Sequence, residues 1–407
     1  MDHHAPDLAP AHPAPVVDLD PYDDAVLLDP FPTYAALREA GPAVLLRRYG
    51  VYAMGRHRDV QAALKDWRLF SSTGGSGIAD IRKSDAWRAP SPIVEVDPPR
   101  HTQVRAALNR IISPSVIRRW REAFEREANR LVTEMLERGT FDGAADVSEA
   151  FVARVFPDAL GWPDSPERRD NLYLLGELNF DGQGPRNARF EETERRAEPI
   201  LDWQRRMMMR EALDPAGFGE QIFQAADRGE IEAEIAPLLL RSFLRGGLDT
   251  SSATITAALH CLATHPEAFG KLRADPGLAR AVTEEAMRLE TPIPNVGRLT
   301  TRDAVVDGTL IPADSKVILI LAAANRDPAA WDRPDAFDIT RPSFGHLALG
   351  YGIHMCVGQV IARLEADVLL RVLAARVARL EPAGEPVRRL NNNLRSLAHL
   401  PLRAVAA

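Results

Sequence analysis

After Ser113–Pro114, the apolar residues Ile117, Trp120, Phe124, Ala128, Leu131 and Met135 recur every three or four positions. That spacing puts them on one buried face of a helix. Ser113 suits the N-cap, Pro114 the first turn, and Gly139 the end. Similar patterns predict helices over Pro32–Ala40, Arg58–Trp67, 144–160, 189–212, 218–227, 231–264, 278–290 and Val357 to about Leu380. Val44 to Met54 carries β-formers around Tyr49–Gly50 and reads as a hairpin. Short strands are expected at Ala304–Val306, Leu310–Ile311 and Lys316–Leu321, with a turn at Asp307–Gly308. Residues 1–20, rich in Pro, His and Asp, read as a flexible leader. The pattern is mainly α with a minor β-sheet region. It holds no internal repeat and no linker, so residues 21–407 are expected to form a single domain.

Composition narrows the function classes. With 50 Lys+Arg against 57 Asp+Glu, the chain carries a net charge of −7, which argues against a nucleic-acid binder. The longest apolar run, Val317–Ala324, is far below the roughly 20 residues that span a bilayer. No basic-then-apolar targeting segment opens the chain, so a cytoplasmic protein, with no membrane partner, is expected. The 2 cysteines, Cys261 and Cys356, are too few for a disulfide framework.

Cys356 stands in the most informative stretch, Phe344 to Gly358. Gly350, Gly352 and Gly358 surround it, and a long amphipathic helix follows. Glycines let a backbone approach a flat ligand closely. A helix N-terminus favours a thiolate through its dipole and free N–H groups. Such a sulfur could bind a metal, attack as a nucleophile, or be a buried structural Cys. No Cys-x-x-Cys partner exists for zinc.

The run Gly352-x-His354-x-Cys356-x-Gly358 before a helix resembles the haem-binding loop of the cytochrome P450 superfamily. The resemblance implies a triangular-prism fold, with haem b between the long central helix and the helix after the Cys loop, and Cys356 as axial iron ligand. The family usually places Phe where this chain has Leu349, a change that bears on redox tuning.

Three further constellations fall in the family's order. Glu285-x-x-Arg288 puts an acid and a base on one helix face and resembles the family's buried structural pair, with Arg341 as its third member. The alternative position is filled by Ala336. Gly246-Gly247-Leu248-Asp249-Thr250 sits in the helix expected over 231–264, where each glycine costs about 1 kcal/mol relative to Ala. The resemblance implies that Asp249 and Thr250 pass protons to iron-bound oxygen. His101 and Arg105 lie one helical turn apart. By resemblance they hold the haem propionates together with Arg298 and His354.

The implied activity is a monooxygenase, with O₂ as co-substrate and electrons from NAD(P)H through external partners, since this chain holds no flavin or iron–sulfur segment. A ferredoxin and its reductase are the expected partners of a monomer, with Arg110, Arg118 and Arg119 as docking candidates.

The segment Trp87-Arg88-Ala89-Pro90-Ser91-Pro92-Ile93-Val94 and the i,i+4 pair Arg241 and Arg245, with Ser242 between them, suit a carboxylate. With Asn179–Pro185 and Arg389–Ser396, this set looks like the bacterial haem-thiolate enzymes that O-demethylate para-methoxybenzoate. By that likeness Arg88, Ser91 and Ser242 hold the carboxylate. Phe180 and Val94 pack the ring, and Ile293 and Val296 lie near the haem. Gln183 and Val296 stand where that group favours Phe, and Arg245 where it favours a small residue, which implies a wider, more polar pocket. Arg245 would need a partner if buried: it is open to pairing with Asp181 or Glu95, to reaching solvent, or to holding a second anionic group of the substrate. Hydroxylation of a neutral aromatic or natural-product scaffold is the alternative. A haem-based binding or sensor protein without turnover would be a different class; a peroxide-driven enzyme is a further option, but such enzymes often lack the acid–alcohol pair that this chain keeps at Asp249–Thr250.

Overall fold

The computed structural model describes residues 11–83 and 88–407. Residues 1–10 of the expected leader, and Trp87, lie outside the described residues. The helices that position the site are α1 His57–Lys65, α2 Arg100–Ile111, α3 Pro114–Arg138, α4 Ala150–Leu160, α5 Arg168–Asp181, α6 Ala236–Gly247, α7 Asp249–Thr264, α8 Ala279–Glu290 and α9 Gln359–Arg376. The main core lies among them. Ile117, Phe124, Ala128, Leu131 and Met135 of α3 are buried as the spacing requires, and Gly139 ends the helix at φ 70°. Phe124 meets Phe151 of α4 edge-on at 6.3 Å. Burying a side chain of this size contributes ~1.5–3 kcal/mol.

The larger sheet is built from β1 Val16–Val17, β2 Val44–Leu46, β3 Val51–Met54, β4 Phe70–Ser71, β5 Asn295–Thr300 and β6 Lys316–Ile320. Their order is β1-β2-β3-β6-β5-β4. β2 and β3 form the expected hairpin. β6 is buried along its length, parallel to β3 and antiparallel to β5, with Val317 opposite Arg298. A strand covered on both faces is a continuous apolar run. Lys316 opens this one, its Nζ donating to Gly74 O and Gly75 O at 2.7 and 2.6 Å.

Several expected bounds shift. The described half of the leader takes part in strand pairing: His12–Pro13 pairs with Thr309–Leu310, and Val16–Val17 with Leu45–Leu46. The helix expected over 231–264 breaks into α6 and α7 at Leu248, beside the Gly246–Gly247 pair. The helix expected over 189–212 is split into Ala188–Ala197 and Leu201–Met207, with Pro199 between them removing a donor. The helix expected to reach Leu380 ends at Arg376, because Val377–Pro382 pairs antiparallel with Pro401–Ala406. α5 has no counterpart among the expected helices. Its Leu172, Leu175 and Leu178 are buried, but polar residues are not confined to one face. Among the described residues, no helix is long and apolar enough to cross a membrane.

Candidate active site

Cys356 sits at the mouth of α9. Its N–H donates to Leu349 O at 2.8 Å, closing the loop on itself. Gly350 and Gly352 both adopt φ 71°, a region that favours glycine. A Cβ on Gly352 would fall 2.7 Å from Leu64 O, so this glycine also lets the loop pack on α1. Burial pushes the Cys356 thiol up, against N–H groups of Gly358 and Gln359 and the charges of Arg105 and Arg363, which favour the thiolate.

Cys356 opens onto a cavity that reaches the α6–α7 joint and encloses about 1490 Å³ of space between protein atoms, part of it open to solvent. Gly246, Thr250 and Thr254 form the wall opposite. The two glycines of the joint serve different ends. A Cβ on Gly246 would meet nothing within 4 Å, whereas one on Gly247 would fall 2.3 Å from the Phe156 ring. Gly246 keeps the cavity open, and Gly247 lets α6 approach α4.

One rim of the cavity is cationic. The rings of His101 and His354 lie 4.5 Å apart, and both Nε2 atoms are buried without a hydrogen-bond partner. Burial, then His354 and Arg105, push His101 down to about 4. Arg298 is buried and pushed down to about 10 by desolvation, and its Nη1 donates to Gly297 O at 2.7 Å. Arg105 Nη1 donates to Met355 O at 2.6 Å. Asp97 is the carboxylate nearby, but it is engaged by Ser71 Oγ at 2.5 Å and Ser72 N at 3.2 Å. Its Oδ1 is 3.9 Å from His354 Nε2, too long for a hydrogen bond. Buried cations and orphaned imidazoles around a cavity floored by a thiol fit a flat, dianionic macrocycle with a thiolate-seeking metal, which is the chemistry of haem. The four expected propionate residues are thus brought together.

The structural set also assembles. Arg288 grips Glu285 at 2.9 Å through both Nε and Nη2, with both side chains fully buried. Arg341 Nε reaches Glu285 Oε1 at 3.0 Å and Ser343 Oγ reaches Oε2 at 3.0 Å. Ala336 contributes its carbonyl to Arg288.

Asp249 and Thr250 face opposite ways. Thr250 lines the cavity, its hydroxyl donating to Gly246 O at 2.5 Å. The Asp249 carboxyl points toward α5, and burial pushes it up to about 8 against the pull of Arg389.

The expected substrate residues divide. Ser91 Oγ and Ser242 Oγ meet at 2.9 Å. Val94, Ser242, Ile293 and Val296 line the cavity. Arg88 is held by Glu95 in a two-point pair, 2.7 Å at each oxygen. Arg241 Nη2 donates to Ala89 O at 2.7 Å. Burial, then Arg88 and Arg241, holds Arg245 well below its ordinary value, with Glu95 opposing. All three guanidiniums thus lie in the field of Glu95. Asp181 is not the partner of Arg245. It accepts from Thr193 Oγ1 and Asn392 N, both at 2.8 Å. Phe180 packs against Ala253, Leu394 and Ile293, a layer behind the wall rather than in it. Gln183 is structural: its Oε1 accepts from Asn393 Nδ2 at 2.8 Å and its carbonyl from Ile78 N at 2.8 Å.

Sequence reasoning missed Thr254, a turn beyond Thr250 on the same helical face, and Ser76, whose N–H and hydroxyl both bind Glu95 Oε1. It also missed Glu365, fully buried on α9 near Ser251 and pushed up by burial to about 8. A lone acid amid Ile361, Leu364 and Ala366 was the available signal.

A cavity between a cysteine-loop thiol and a broken glycine-containing helix, rimmed by buried cations, defines a haem-thiolate protein. Residues 277–396 match the family model described as Cytochrome P450. The chain is 44% identical to cytochrome P450 CYP199A2 of Rhodopseudomonas palustris, over 97% of this chain and 95% of that protein. It is 29% identical to the cytochrome P450 monooxygenase PikC of Streptomyces venezuelae, over 96% and 94% respectively. The solved structure of cytochrome P450 CYP109Q5 from Chondromyces apiculatus matches with a TM-score of 0.79 and 31% identity, covering 96% of this chain and 99% of that one. The chain belongs to the cytochrome P450 family. It is a haem monooxygenase that uses O₂ and NAD(P)H-derived electrons delivered by redox partners, and it acts on small molecules.

Proposed function

We propose that the substrate is a small aromatic carboxylic acid and that the reaction is O-demethylation of a methoxybenzoate-type compound. The observation that carries this reading is the Ser91–Ser242 hydroxyl pair at 2.9 Å, with the guanidiniums of Arg88, Arg241 and Arg245 near one another and near Glu95. Similarity to CYP199A2 over nearly the whole chain supports it. Two hydroxyls with guanidinium groups close by suit one carboxylate, and the apolar Val94, Ile293 and Val296 suit a ring held between it and the thiolate side.

Haem bound to Cys356 supplies O–O cleavage and the insertion of one oxygen atom, the other leaving as water. His101, Arg105, Arg298 and His354 hold its propionates. Thr250 presents its hydroxyl to the cavity, and Asp249, protonated at neutral pH, restores its proton. Glu285, Arg288 and Arg341 brace the segment that leads into the Cys loop. Hydroxylation of the methyl group gives a hemiacetal that collapses to the phenol and formaldehyde. The chain acts as a monomer and takes its electrons from a ferredoxin that docks through the exposed Arg118 and Arg119.

A second reading, a neutral aromatic or natural-product substrate, is favoured by one feature: Glu95 already takes both ends of the Arg88 fork. Titrating the ferric protein with 4-methoxybenzoate, with guaiacol as the neutral control, separates the two. A low- to high-spin shift with the acid alone supports the carboxylate site. A shift with guaiacol alone transfers the substrate to the neutral class.

A further inference from the structure

Gly176 stands in the middle of α5, where glycine costs a helix about 1 kcal/mol relative to alanine. The helix crosses the α6–α7 joint at this point. A methyl group built on Gly176 would fall 1.8 Å from Asp249 Oδ2, 2.5 Å from its Cγ and 2.7 Å from its Oδ1. The three nearest atoms all belong to that one carboxyl, so Asp249 occupies the volume a side chain at 176 would fill. Asp249 is 3% exposed, and its Oδ2 has no hydrogen-bond partner. Tyr173, one turn back on α5, shares a 2.7 Å hydrogen bond with Ser252 Oγ on α7. That bond pins the two helices beside the niche, so α5 cannot retreat by a methyl's width without breaking it.

We propose that Gly176 is a positioning residue for Asp249: its missing side chain makes the dry niche in which the acid is stored, facing away from the cavity that the adjacent Thr250 lines. This rests on the reading of Asp249 and Thr250 as a proton relay. A carboxyl in this niche has no strong donor to hold it ionised, and burial keeps its proton on at neutral pH. A Cβ at 176 displaces it toward solvent or toward Arg389, where it ionises more readily and returns protons to Thr250 more slowly.

The test is a double-variant cycle read in two ways. Thermal unfolding of the haem-loaded protein is compared for Gly176→Ala alone and in an Asp249→Ala background. With the carboxyl gone, the added methyl should no longer destabilise, and it should raise Tm because alanine favours the helix. An equal loss in both backgrounds overturns the proposal, since something other than Asp249 then rejects the methyl. If Gly176→Ala alone fails to fold, the Asp249→Ala pair still decides the point, because it should fold.

The second reading is product formed per NADH oxidised with a ferredoxin system. Gly176→Ala should lower it roughly tenfold, leave the 4-methoxybenzoate spin shift unchanged, and have no further effect in Asp249→Asn. A drop that persists in Asp249→Asn overturns the proposal. Normal coupling in Asp249→Asn alone would instead sink the relay reading, leaving the Tm cycle to judge the placement of the carboxyl by itself.

Discussion

Ser91 Oγ lies 2.9 Å from Ser242 Oγ, joining the segment ahead of α2 to the cavity face of α6. Ser242 Oγ is also tied to Leu238 O at 2.8 Å, so its position is set by its own helix. With Ser242's proton on Leu238 O, Ser91 donates within the pair, and a carboxylate arriving at the cavity wall would take over one of these two donated bonds. Ser242→Ala should weaken 4-methoxybenzoate binding about tenfold, the worth of one hydrogen bond to a charged group, and leave guaiacol unaffected. Spin-state titration measures both.

Glu95 accepts from Arg88, Ser76 and Ser91. Burial pushes its carboxyl up, but these donors outweigh it and leave it at about 2 against an ordinary 4.5. A carboxylate whose folded pKa is depressed adds stability that is full above its unfolded value and lost as pH falls toward the folded one. Urea unfolding between pH 5 and pH 3 should therefore show a steep acid loss in the parent chain, and Glu95→Gln should flatten it while lowering stability at pH 7.

Glu365 and Asp249 have the opposite sign. Burial pushes both up to about 8, so the folded state keeps protons that the unfolded state has already released. Their contribution is present at low pH and lost as pH rises through the interval up to about 8. Glu365→Gln should raise stability at pH 8 more than at pH 5. Equal effects at both pH values would mean that the carboxyl is ionised in the native state.

Glu285 is shared by Arg288 and Arg341. Removing Arg288 takes the two-point partner from a fully buried carboxylate, leaving it to Arg341 at the edge, and should cost ~3–5 kcal/mol, enough to prevent stable haem loading. Arg341, at the edge of the pair, should cost less when replaced by Ala, because Arg288 still neutralises Glu285. Thermal unfolding and the haem absorption band report both.

Local chemistry was legible in the sequence, and partner choice was not. Spacing of three and four placed α3, and the glycines around Cys356 placed the sulfur loop, because both signals are contained in a few adjacent residues. The Glu285–Arg288 pair could be read for the same reason, and Arg341 only through its order in the chain. Arg88 shows the limit. Its residue type suits a carboxylate, but Glu95 claims it through a loop conformation that only the folded chain sets. Gln183 and Phe180 likewise look like pocket residues in a linear reading, yet Asn393 holds the Gln183 side chain and Phe180 is buried against Ala253 and Leu394. The break at Leu248 was foreshadowed by two glycines. Gly176 was not, since nothing in its own neighbourhood names Asp249.

The short run from His12 to Val17 joins two sheets, pairing with Thr309–Leu310 on one side and Leu45–Leu46 on the other. It works as a seam. A chain shortened to begin at Pro21 would leave β2 as a bare outer strand and free the backbone of Thr309–Leu310, two templates for strand addition by a second molecule. The site would be untouched, yet the shortened protein should self-associate as its concentration rises. Where this chain is cut thus bears on its solubility before it bears on its chemistry.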